Sequence, residues 1–127
     1  MLQKILQLSA WGSIVAIGAL TLVPIEWRPQ SGLSGHLEHV AAYLAAATLF
    51  SFSYPRRSLI VMIALFLIYA ACLEIGQQYI PGRHALFSDW IAKSFGALIG
   101  VFVGTFFLRL WLQFPHAIEK KARAESP

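Results

Sequence analysis

The stretch CLEIGQQYIPGRHALFSD, Cys72 to Asp89, decides how this chain is read. It follows a long apolar run and places Glu74, Gln77 and Gln78 where more leucine or valine is expected. A sharp Pro81-Gly82-Arg83 turn comes next, and Asp89 opens another apolar run. In a soluble helix an acid and two amides would mark the solvent face. Here the composition argues against that. The 127 residues are 57% hydrophobic and only 13% charged, with a mean hydropathy of +0.63. A soluble domain of this size carries about 25% charged residues.

Four apolar stretches stand out, Ile5 to Val23, His36 to Tyr54, Ser58 to Ile80 and Ser88 to Phe114. Each is long enough to cross about 30 Å of hydrocarbon as a helix rising about 1.5 Å per residue. The second is the weakest, because His36, Glu38 and His39 occupy its start. The expected fold is all-α, a polytopic membrane protein built as a four-transmembrane-helix bundle. The membrane domain is expected over residues 1–114, followed by a short basic tail over 115–127. The first stretch is expected to be retained rather than cleaved. Its apolar core is longer than the 7–15 residues of a signal peptide, and Val23-Pro24-Ile25-Glu26 lacks a small-x-small cleavage site. Cys72 stands alone, which leaves no disulfide within the chain and no cysteine-based metal site.

Orientation follows from the cations. With four spans, Lys4, Arg56, Arg57, Arg109, Lys120, Lys121 and Arg123 share one side, and Arg28, Arg83 and Lys93 the other. The positive-inside bias then places both termini in the cytoplasm of a plasma (inner) membrane. The net charge of +4 comes largely from this asymmetry and from the tail HAIEKKARAESP. Cations just past a span anchor to the membrane surface, which is a simpler account than nucleic-acid binding. Trp27, Trp90, Trp111 and Tyr79 fall near span ends, as interfacial aromatics do.

In this orientation the loops Pro24 to Gly35 and Pro81 to Phe87 face outward. His36 and His39 then occupy the first outer turns of the second span. Glu74 lies about 9 Å before the end of the third, and Asp89 lies in the first turn of the fourth, with Ser88 as the expected N-cap. Helical spacing puts His36, His39 and Tyr43 on one face, Glu74, Gln77 and Gln78 on another, and Asp89, Lys93, Gly96, Gly100 and Gly104 on a third. The three glycines form a small-xxx-small track, and the helix that buries it points Asp89 and Lys93 inward. These faces are expected to enclose a polar pocket open to the extracytoplasmic side. An ionised side chain at mid-span costs roughly 2.5–3.5 kcal/mol, so Glu74 needs a partner, with Arg83, Lys93 and a protonated His39 as candidates.

The pattern Glu74-x-x-Gln77-x-x-x-Pro81-Gly82-Arg83, then Asp89, Gly96 and Gly100, resembles the VanZ-like family. His39 and Tyr43 match that family's His-x-x-x-Tyr element, and the resemblance covers about Pro24 to Gly104. Two departures are visible. Gly35-His36 stands where the family often has Asp-Lys, and Lys93 stands where it often has Asn. The resemblance implies a small helical membrane protein, named for a member linked to teicoplanin resistance. It also implies action on lipid head groups or lipid-linked cell-envelope intermediates.

Several readings stand side by side. In an enzyme acting at the outer leaflet, His39, Glu74 and Asp89 would be catalytic. His39 would be base or nucleophile, Glu74 would handle the proton, and Asp89 would orient. Arg83, Gln77, Tyr43 and Lys93 would bind substrate, with Arg83 suited to a phosphate or carboxylate. The structural alternatives are a salt bridge for Glu74, interhelical hydrogen bonds for His39 and Gln77, a loop anchor for Arg83 and a dipole role for Asp89. His36, His84 and His116 read as surface or interfacial. A metal site on His36, His39, Glu74 and Asp89 is disfavoured by the nearby Lys93 and Arg83, and no cofactor is expected. A non-catalytic binding or shielding protein for an envelope ligand or antibiotic is the second class. A small transporter or an oligomeric channel is the third, and a transporter is disfavoured by the few polar residues in the inner halves of the second and third spans. The expected partner is a membrane lipid or lipid-linked intermediate, and the glycine track fits bundle packing and a homo-oligomer equally well.

Overall fold

The computed structural model describes residues 1–27, 32 and 34–124, with the side chains of Ile25 and residues 114–124 outside that description. Arg28 therefore lies outside the described residues, as do the side chains of Lys120, Lys121, Arg123 and His116. Four helices account for most of the chain: α1 (Leu2–Leu22), α2 (Gly35–Ser53), α3 (Leu59–Gln77) and α4 (Phe87–Ala124). A single 3-10 turn, Ile25–Trp27, follows α1, and no strand occurs among the described residues.

The boundaries have local causes. Pro24 holds Val23 extended at φ −74°, ψ 149°, which ends α1. Ser34 opens α2, its side chain accepting from the Leu37 N–H at 3.4 Å, and Tyr54 closes it ahead of Pro55. The α3–α4 connection turns at Pro81-Gly82, where the Arg83 N–H donates to the Ile80 carbonyl at 3.1 Å. Gly82 has φ +75°, the left-handed value this turn demands after a proline and the reason only glycine is comfortable there. The fourth helix starts at Phe87, two residues earlier than an N-cap at Ser88 would set. Leu86 precedes it and accepts from the N–H groups of Asp89 and Trp90, so Ser88 lies inside the first turn rather than at the cap.

Three of the helices, over Leu2–Leu22, Leu59–Gln77 and Phe87–Gln113, are long and apolar enough to cross a membrane. The second helix is not among them, consistent with its opening His36, Glu38 and His39. As a whole, α4 is 38 residues, or about 57 Å, long enough to continue well past a hydrocarbon core.

The helices pack as a ring in the order α1–α2–α4–α3, with α3 closing against α1 and the α2–α4 seam the most extensive contact. Glycine makes that seam. A Cβ added at Gly96 would fall on the Val40 backbone, one at Gly100 on Leu44 and Ala47, and one at Gly104 on Ser51. The helices are close enough for Thr48 Oγ1 to donate to the Gly100 carbonyl at 3.2 Å and Ser51 Oγ to the Val101 carbonyl at 3.4 Å. The small-residue track is thus a seam within the bundle. Tyr43, Ala46 and Ala47 of α2, Met62, Phe66 and Ala70 of α3, and Ala97 and Val101 of α4 fill the centre.

The polarity of this molecule runs inside out. Lys93, Glu74, Gln77, Ser51 and Ser53 are buried, while Leu8, Val15, Ile60, Ile68, Phe95, Phe102 and Phe106 are exposed. An exposed apolar surface this extensive marks contact with another apolar phase, and its distribution around long apolar helices identifies lipid.

Candidate functional site

The polar residues gather where α1 and α3 end and α2 and α4 begin. They do so because consecutive helices run in opposite directions, so that α2 runs parallel to α4 and α1 to α3. Asp89 in the first turn of α4 lies beside the first turns of α2. His36 Nε2 is 3.2 Å from Asp89 Oδ1, and His39 Nε2 is 3.6 Å from Asp89 Oδ2. One carboxylate therefore faces two imidazoles. The side chain of His39 is 12% exposed and that of His36 is 58% exposed, so the group grades from interior to surface. The i, i+3 spacing on α2 dictates this arrangement, since both rings project from one face.

One turn deeper, Lys93 is fully buried and its ammonium forms an ion pair with Glu74 Oε1. The other carboxylate oxygen, Oε2, accepts from the Leu86 N–H at 3.2 Å. Glu74 thus does two things from α3: it neutralises the buried lysine and satisfies a donor at the start of α4. Negative charge is favoured at that helix end, where unpaired N–H groups concentrate. The buried acid is held by a charge and a backbone donor together, as burial requires.

Arg83 and Gln77 reach the other way, to the end of α1. Arg83 Nε donates to the Val23 carbonyl at 3.1 Å, and one terminal nitrogen donates to the Leu20 carbonyl at 3.1 Å. Gln77 Nε2 donates to the Thr21 carbonyl at 3.3 Å. The last carbonyls of a helix have no partner within it, and here three of them are met from α3 and its following turn. Through these contacts Gln77 ties α3 to α1, and Arg83 ties the turn after α3 to the same helix end.

Tyr43 is buried at 1% exposure, packed edge-on to Phe66 with ring centroids 6.3 Å apart. Its hydroxyl has no hydrogen-bond partner among the described residues, and Tyr69 and Glu74 are its electrostatic neighbours. A cavity of about 340 Å³ lies on the other side of Glu74, lined also by Gln78, Leu86, Phe87 and Trp90, between the end of α3 and the start of α4. Glu74 therefore separates the buried lysine from a groove that opens between the helices. Among the described residues, no three His, Cys, Asp or Glu side chains converge as metal ligands do.

Two contributors were not singled out from sequence for what they do here. His36, read as surface, is indeed exposed, yet it holds Asp89; its place three residues before His39 was the available signal. The Trp90 indole donates to the Leu67 carbonyl at 3.3 Å and fixes α4 against α3, which an interfacial position alone does not reveal.

Residues 3–109 match the sequence model described as VanZ/LLP1, which is most of the chain. None of the curated proteins and none of the solved structures matches it.

Proposed function

The chain belongs to the VanZ/LLP1 family, and from that premise we propose that it is a four-span membrane enzyme acting on a lipid head group or lipid-linked envelope intermediate at the outer leaflet. In this reading α2 is the fourth span. Its less apolar composition is tolerable because it is enclosed by α1 on one side and the α4 glycine seam on the other. The distribution of lysine and arginine puts both termini in the cytoplasm and His39, Glu74 and Asp89 toward the extracytoplasmic side.

The observation that carries the reading is the Asp89 carboxylate set between His36 and His39 at the partly exposed end of the bundle. A carboxylate beside an imidazole fixes the ring and stabilises the imidazolium formed when the ring takes a proton. His39 is accordingly the base or nucleophile, Asp89 its orienting partner, and His36 a second proton carrier at the mouth. The 3.6 Å separation of His39 from Asp89 exceeds a hydrogen bond, and such contacts often tighten only when substrate is bound. Glu74 with Lys93 supplies an electrically neutral floor, and Glu74 presents its carboxylate to the adjoining groove.

A second reading has its own support. With Glu74 engaged by Lys93 and Arg83 by the α1 carbonyls, two groups suited to proton transfer and anion capture are already occupied. That favours a protein that holds an envelope ligand or antibiotic without transforming it. Incubating the protein in nanodiscs with head-group-labelled phospholipids and lipid-linked glycans separates the two. The enzyme reading expects head-group release that falls about 10²–10⁴-fold in His39→Ala, with the thermal midpoint retained. Saturable binding without release across the panel would leave the binding protein.

A further inference from the structure

The opposite end of the bundle carries a feature that the outer site does not use. Where α1 begins, α2 finishes and α4 passes by, a groove of about 740 Å³ is lined by Leu6, Phe52, Phe107, Leu108 and Trp111. Its size is within the roughly 300–1,000 Å³ of small-ligand sites. It exists because α1 and α4 sit on one diagonal of the ring, so that at this level large side chains face one another across a gap. Gln3, Pro55 and Arg56 line its edge, and the same three residues line a second, more polar cavity of about 540 Å³ that adds Tyr54 and Arg57. An apolar groove and a basic cavity therefore share one rim.

The charges on that rim are unspent. Arg56 and Arg57 are exposed, and neither side chain has a hydrogen bond or ion pair among the described residues. No acid among the described side chains lies at this end. The next residue, Ser58, caps α3 without a side-chain hydrogen bond, so the N–H groups opening α3 have no side-chain cap. The charged groups here are both cations, and the groove beside them is mostly apolar.

We propose that this groove binds an anionic glycerophospholipid, one acyl chain along Leu6, Phe107 and Leu108 and the phosphate held by Arg56 and Arg57 above the uncapped start of α3. Arginine pairs suit phosphate because each guanidinium offers two parallel donors, and juxtamembrane cations recognise acidic lipids in this way. The orientation proposed above makes this an inner-leaflet lipid, whereas the site itself does not depend on that orientation or on any chemistry at His39.

Trp111, on the wall of the groove, supplies the readout. Delipidated protein in detergent would be titrated with brominated phosphatidylglycerol or brominated phosphatidylcholine, and the quenching absent from Trp111→Phe taken as the groove signal. Phosphatidylglycerol is expected to quench at about thirtyfold lower mole fraction, roughly fivefold for each arginine. Arg56→Gln/Arg57→Gln should remove that preference while phosphatidylcholine quenching persists, and Leu108→Phe should weaken both lipids. Millimolar inorganic phosphate should not displace the lipid, and Glu119→Gln/Glu125→Gln should leave the preference unchanged. Equal quenching by the two lipids, or no Trp111-specific quenching, would overturn the site. So would displacement by phosphate, which means a bare anion site, or a preference that emerges only in the glutamate variant, which means that the tail is the occupant.

Discussion

The two ends of this bundle handle charge in opposite ways. At the end built around Glu74, cations are consumed internally: Lys93 by the Glu74 carboxylate, Arg83 by the final carbonyls of α1. At the end built around Arg56, the cations face outward beside an apolar groove and meet no acid among the described residues. The first pattern ties three helix ends together, because Lys93 and Glu74 lie on different helices and Arg83 reaches α1 from the α3–α4 turn. The second leaves binding capacity unspent. Inside the bundle Lys93 meets an acid of this chain, whereas on the rim Arg56 and Arg57 meet none among the described residues. Among the described residues, the His36–Asp89–His39 group combines the two, since its carboxylate faces an imidazole on each side yet remains partly open.

Charge removal at each end breaks or sharpens that contrast. Glu74→Gln should cost about 3–5 kcal/mol, since it leaves a buried lysine unpaired. Thermal unfolding in detergent measures it, and Glu74→Gln/Lys93→Met should recover most of the loss. A double variant no better than the single one would mean that Glu74 acts mainly through the Leu86 N–H. Gly100→Ala comes next, at roughly 1–3 kcal/mol, because its methyl would land on Leu44 and Ala47 and push α2 from α4. A smaller effect, about 1–2 kcal/mol, is expected of Arg83→Lys, which keeps the charge but cannot serve both the Val23 and Leu20 carbonyls. Hydrogen exchange at the end of α1 should rise in parallel. Arg56→Gln should change stability by less than about 0.5 kcal/mol, and a larger loss would make the two ends alike.

Tyr43→Phe offers a finer test. The hydroxyl is buried without a partner, so its removal should leave stability unchanged or raise it by up to about 1 kcal/mol. If head-group release then falls while the protein is no less stable, the hydroxyl faces the ligand rather than the fold.

Much of the fold could be read from the chain because its signals are local. Proline after Val23 and before α3, serine at position 34, and glycine at 82 set helix ends through their own backbone preferences. Apolar runs of span length gave α1, α3 and α4 directly. The second helix was legible as a helix but weak as a span, since His36, Glu38 and His39 dilute it. The glycine track at 96, 100 and 104 announced a close helix contact, though not whether its partner was another part of this chain or a second copy. Spacing brought His36 onto the face of His39 and made Asp89 a neighbour of both conceivable.

Sequence alone therefore determined the helical, lipid-facing character of the protein, the approximate helix limits, and the family pattern running from His39 through Glu74 and Arg83 to Gly100. Those depend on composition and on interactions within a few residues. Tertiary structure decided which opposite charge Glu74 takes, that Arg83 reaches back 63 residues to α1, that the glycine seam belongs to α2, and that α1 and α4 leave a groove between them. Several partners were equally compatible with the chain for each buried group. The choice rests on how four helices rotate and slide against one another, which is set by the summed packing of all of them and is written in no single segment.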